Sequence, residues 1–76
     1  NIKVLNIGGT SVRNLKPIAE FDALEDLSIV NTFVKSVVPL ENLSSLKHLK
    51  AYKTKIKSKN IDLLKQKHPD LNVIYY

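Results

Sequence analysis

The sequence predicts an α/β solenoid with a parallel β-sheet on its concave face, about three repeats long and closed by a terminal helix and an edge strand. Three observations predict it. Apolar and Thr positions recur every 22 residues. Each unit holds one short stretch in which alternate residues are apolar or small, the period-2 sign of a strand with one buried face. Only the third unit also carries apolar residues at helical spacing.

The period shows in six columns. Thr10, Thr32 and Thr54 are 22 residues apart, as are Val12, Val34 and Ile56, and Leu5, Leu27 and Leu49. Ile2, Leu24 and Leu46 keep the step, as do Ile7, Ile29 and Ala51, and Pro17 and Pro39 keep it once. One such unit cannot bury its own apolar face, so the units must stack, strand beside parallel strand, with a continuous core behind. The 76 residues then form one domain, with repeats at 1–23, 24–45 and 46–70 and a final strand at 71–76.

The strands are expected in "VLNI", "DLSI" and "HLKA". Their inward ladders would be Leu5, Leu27, Leu49 and Ile74, then Ile7, Ile29, Ala51 and Tyr76. The last members assume that Leu71 repeats Leu46 and that three extra residues follow Ile56. Val12, Val34 and Ile56, with Leu15, Val37, Ile18 and Leu40, would close the core, and Phe21 and Leu43 would lie beneath.

Each strand must end in a sharp turn, which strands backbone polar groups, and buried polar groups need partners. The Thr hydroxyls at 10, 32 and 54 are expected to bond toward the loops above and below; the alternative is that they are ordinary β-branched strand residues. "NIGGT" places Gly8 and Gly9 in the first turn, and neither phosphate-loop glycine pattern is present. In "SKNIDLLKQKHPDL", Ser58 is the expected helix N-cap, Ile61 and Leu64 the buried side, and Pro69 the stop. Lys65 and Lys67 in its last turn suit the helix dipole.

The pattern L-x-x-L-x-(L/I)-x-x-(N/T)-x-(V/I)-x-x-(L/V)-x-P-(L/I)-x-x-(L/F) spans essentially the whole chain. It resembles a leucine-rich repeat of the short 22-residue class found in bacterial internalin-like proteins, and the longer third unit resembles the closing repeat of such an array. Ala51 at a usually bulky position, and Thr where Asn is commoner, depart from that pattern. The resemblance implies a leucine-rich-repeat solenoid that binds a protein or peptide on its concave strand face. A chain without Met that begins at Asn1 is expected to be a fragment of a longer protein, the C-terminal portion of the array.

Between the core positions, side chains should point out of the sheet: Val4, Asp26, His48 and Val73, then Asn6, Ser28, Lys50 and Tyr75, then Gly8, Val30 and Tyr52. From these, Asp26, Ser28, Val30, His48, Lys50, Tyr52 and Tyr75 form the expected partner-binding set. Tyr offers a large contact area, a hydroxyl and few torsions, which favours it at hot spots. For Tyr52, contact and an ordinary packing role stand level.

Charge suggests a different ligand. The net charge is +5, but residues 46–76 alone carry eight Lys against two Asp, a net +6. Lys53, Lys55, Lys57 and Lys59 alternate along this part and form a candidate basic patch for nucleic acid or polysaccharide. A half-buried extended segment produces the same alternation as a merely solvated face, and Tyr52 is the only aromatic beside it.

No enzyme is expected. His48 and His68 lack partners at metal-ligand spacing, and the carboxylates of Glu20, Asp22, Glu25 and Asp26 should point in different directions. Neither catalytic nor metal-binding residues are assigned, and no cofactor is expected. With no cysteine there is no disulfide framework, and the compartment stays open. No apolar run is long enough for a membrane span or a signal h-region. Two further roles are expected as alternatives: a structural capping segment of a larger repeat protein, and self-association through an exposed sheet edge.

Overall fold

The computed structural model describes residues 2–75. It is an α/β fold with a four-stranded parallel sheet whose strands lie in chain order. The strands are β1 (Val4–Asn6), β2 (Asp26–Ser28), β3 (His48–Lys50) and β4 (Asn72–Ile74). One α-helix, α1 (Ser58–Lys67), precedes β4. Shorter 3₁₀ turns at Lys16–Glu20 and Val38–Leu40 occupy the corresponding place in the first two units.

The turns are local products of the sequence. Pro17 and Pro39 sit at the start of each, where a missing N–H costs little. Just before them, Asn14 Oδ1 accepts from the Lys16 N–H at 2.7 Å and Ser36 Oγ from the Val38 N–H at 3.2 Å. The third unit has no such proline, and there the chain runs on into the ten-residue α1. Ser58 is the first residue of this helix rather than its cap; Lys57 holds the cap position in extended conformation, without a side-chain bond. Ile61 and Leu64 face the core, and Leu63 is exposed.

Leu5, Leu27 and Leu49 are direct register partners, as the period of 22 requires. Burial deepens along the column, from half-buried Leu5 to fully buried Leu49, and the Ile7, Ile29, Ala51 column behaves alike. Behind the sheet, Leu15, Ile18, Val34, Val37, Leu40, Leu43 and Ile56 complete the core, with Val12 and Phe21 packed at its margin.

Two further expectations are corrected. The first concerns β4. Leu49 pairs with Val73 and Lys50 with Ile74, so the last strand sits one residue away from the expected register. Val73 and Tyr75 pack against the core, and Ile74 takes the outward position. The cause lies just upstream of the strand. The N–H groups of Lys47 and His48 both donate to the Glu25 carbonyl, as those of Glu25 and Asp26 do to Lys3. Asn72 alone donates to Lys47, so one residue is missing between Leu71 and β4. Tyr76, expected in the second ladder, lies outside the described residues.

The second correction concerns threonine. Each hydroxyl closes its own turn: Thr10 donates to the Ile7 carbonyl (2.7 Å), Thr32 to Ile29 (2.8 Å) and Thr54 to Ala51 (2.9 Å). The units are instead tied by backbone. The Ile7, Ile29 and Ala51 N–H groups donate to Ser28, Lys50 and Ile74. Gly9 and Asn31 donate to Val30 and Tyr52, and Phe33 and Lys55 to Val12 and Val34. A backbone ladder suffices because equivalent residues stand at one strand spacing, where N–H meets C=O directly.

The turn after each strand places a residue in the left-handed region: Gly9 (φ 75°), Asn31 (φ 58°) and Lys53 (φ 56°), again 22 apart. Beside it, a Cβ on Gly8 would stand 2.9 Å from the Val30 carbonyl oxygen, so glycine permits the close approach there. Gly and Asn adopt the left-handed conformation readily, whereas Lys is strained in it. Lys53→Asn is therefore expected to stabilise the chain by about 0.5 kcal/mol, and the β-branched Lys53→Val to cost about 1 kcal/mol. Thermal melts check both; a Val variant as stable as the parent would contradict the strained turn.

Candidate functional site: the outward face of the sheet

Because strand side chains alternate, one face of the sheet meets the core and the other is left outside. Val4, Asn6, Asp26, Ser28, His48, Lys50, Asn72 and Ile74 stand on that outer face. Together with the edges of the leucine ladder they line a shallow depression of about 410 Å³ that crosses all four strands.

The depression is acidic and imidazole-bearing at its centre. Asp26 and His48 are register neighbours on β2 and β3, with Nε2 3.9 Å from Asp26 Oδ1. That oxygen is shielded from solvent and accepts no hydrogen bond; it is the only such side-chain atom among the described residues. The rest of the Asp26 side chain is about half exposed, and a ligand N–H would meet the carboxylate from that open side. At one end Lys50 adds a positive charge, at the other Val4 adds exposed apolar surface.

The expected partner-binding set divides into three. Asp26, Ser28, His48 and Lys50 come together in the depression. Val30 and Tyr52 are half-buried residues just past β2 and β3, outside its lining, and the Tyr52 carbonyl accepts from the Asn31 N–H at 3.2 Å. Tyr75 points the other way. Its ring packs against the core and its hydroxyl donates to the Ile56 carbonyl at 2.6 Å, so its expected outward direction is corrected.

Asn72 and Ile74 belong to the lining, although sequence reasoning placed Ile74 inside. Alternation could not decide this, because Val73, Ile74, Tyr75 and Tyr76 are all apolar or aromatic and either register buries a hydrophobic set.

The lysine run lies elsewhere. Lys53, Lys55, Lys57 and Lys59 are all exposed, while Thr54 and Ile56 between them turn inward. Lys57 and Lys59 belong to the cap and first turn of α1. His68 is not a plain surface residue. Its Nε2 lies 2.7 Å from the Glu41 carbonyl, which can only accept, so this nitrogen carries the proton. With the Lys67–Glu41 ion pair, this contact fastens the end of α1 to the second unit.

Among the described residues no group of three or more His, Cys, Asp or Glu is placed to hold a metal ion. No helix among them is long and apolar enough to cross a membrane. Comparison of the chain with protein-family models, with curated proteins and with solved structures finds no match.

Proposed function

We propose that the chain is a leucine-rich-repeat solenoid segment and a non-enzymatic protein-interaction module, which holds a protein or peptide on the outer, concave face of its sheet. The observation that carries this reading is the depression crossing all four strands, with the half-exposed Asp26 carboxylate at its centre. Its lining mixes apolar, amide, acidic and basic groups, which suits an extended polypeptide with several kinds of side chain rather than one small molecule.

Two charged and two apolar positions set the preference. Asp26 favours a donor from the ligand, Lys50 a carboxylate or carbonyl, and Val4 with Ile74 apolar side chains at the margins. A phage-displayed library of random peptides selected on the chain is expected to yield binders. Lys50→Glu and Asp26→Ala should each weaken them about tenfold, the loss expected for a contact worth somewhat over 1 kcal/mol. Binders indifferent to both substitutions would place recognition elsewhere.

The competing ligand is an anionic polymer at Lys53, Lys55, Lys57 and Lys59, a reading favoured because all four are exposed. None of them has a carboxylate within ion-pair distance among the described residues. Retention on heparin that collapses with added salt, and with Lys55→Glu and Lys57→Glu, would favour this polymer over the peptide.

A further inference from the structure

The side of the chain away from the sheet carries a surface that the proposed site does not use. Two depressions of about 290 Å³ each adjoin there, sharing Ser36 and Val38. Arg13, Lys16 and Lys35 line the first together with Leu15, Val38 and Pro39. The second runs from Val38 to Leu63 and Leu64 on α1.

Two properties set this surface apart. The first is exposed hydrophobicity. Of five exposed large hydrophobic residues among those described, two line these depressions, Val38 (64% exposed) and Leu63 (54%), and a third, Phe33 (49%), stands beside them. Phe33 joins the surface through Arg13, whose guanidinium carbon lies 5.9 Å from the ring centroid. Apolar surface gathered in one place and rimmed by polar groups marks a contact site.

The second is one-sided charge. The three ion pairs among the described residues are Lys47–Glu25, His48–Asp26 and Lys67–Glu41. Arg13, Lys16 and Lys35 take part in none, and no carboxylate lines their depression. In the second depression Lys67 is neutralised by Glu41, so that end is apolar without net charge. The groove is thus cationic at one end and apolar at the other.

We propose that this groove docks an extended acidic peptide segment of another protein, its carboxylates over Arg13, Lys16 and Lys35 and a bulky aliphatic side chain between Val38 and Leu63. Charge complementarity selects the acidic end. The Arg13 guanidinium lies over the Phe33 ring, and its planar fork can take a carboxylate with two parallel hydrogen bonds. Nucleic acid is disfavoured because Phe33 is the one aromatic beside the groove, too few for a run of stacked bases, and the second depression is apolar and flanked by Glu41.

The test is an amide-shift titration of the 76-residue chain with a synthetic peptide of Asp and Glu followed by Leu. The expected shifts centre on Lys35, Ser36, Val38 and Leu63. Replacing the peptide's Leu by Ala should weaken binding about tenfold, and Arg13→Glu with Lys35→Glu should do so at least as much. Val38→Glu, and independently Leu63→Glu, should give similar losses. Both side chains are exposed, and a melt on each variant confirms that it folds.

Polyglutamate binding as tightly as the Leu-bearing peptide would overturn the proposal, as would shifts confined to the strand face. Tighter binding of an oligonucleotide or of anionic vesicles through the same residues would overturn it in favour of those ligands.

Discussion

Replacing Leu49 with alanine is expected to cost about 3–4 kcal/mol, the largest loss from any single truncation on the strands. Leu49 is fully buried and flanked on the sheet by Leu27 and Val73, so a cavity there has walls on both sides that cannot collapse without moving a strand. A domain of this length holds roughly 4–11 kcal/mol in all. The substitution therefore removes a large share, and the melting temperature should drop by roughly 15–25 °C. Leu5→Ala is the internal control. Leu5 is only half-buried at the edge of the same column, and its loss should be less than half as large. Equal losses at the two positions would mean that burial does not deepen along the stack.

Tyr75→Ala is expected to cost about 2 kcal/mol, below the range for a fully buried aromatic because the ring is only partly covered. Tyr75→Phe keeps the ring and removes the hydroxyl that donates to the Ile56 carbonyl, for about 1 kcal/mol. Ile74→Ala serves as the comparison. In the observed register Ile74 stands outside and Tyr75 inside, so truncating Ile74 should cost less than truncating Tyr75. The reverse order in urea or thermal unfolding would restore the register in which Ile74 continues the leucine ladder. The measurement also bears on function, since only an outward Tyr75 could touch a ligand on the sheet face.

The three-dimensional reason for Lys53 connects stability to the lysine run. Its left-handed backbone follows from the turn shared with Gly9 and Asn31, so the side chain's exposure is a consequence of the turn and not by itself a sign of a ligand. The same holds for the alternation through Lys55 and Lys57, which the inward Thr54 and Ile56 impose.

Most of the sheet was legible in the residues because it rests on a repeat. A period of 22 requires equivalent residues to meet, and the Leu5–Leu27–Leu49 register and the outward set Asp26, Ser28, His48 and Lys50 follow from that period with simple alternation. The helix at the third unit was legible from Ile61 and Leu64 together with the missing proline.

Where the period lapses, tertiary structure decided. Residues 71–76 hold apolar side chains on both faces, so either register satisfied the pattern. Leu71 is buried in the place of Leu24 and Leu46 but leaves no residue before Asn72, where those leave one, and that shorter spacing chose between them. Likewise no pattern in the sequence could say whether the Thr hydroxyls reach across units or close their own turns, because both use the same atoms; the distance between stacked backbones, short enough for direct N–H to C=O bonds, left the hydroxyls to local work. The apolar and cationic groove between Arg13 and Leu63 lay outside any column, since it joins residues far apart in the chain that only the packing of α1 beside the Val38–Leu40 turn brings together.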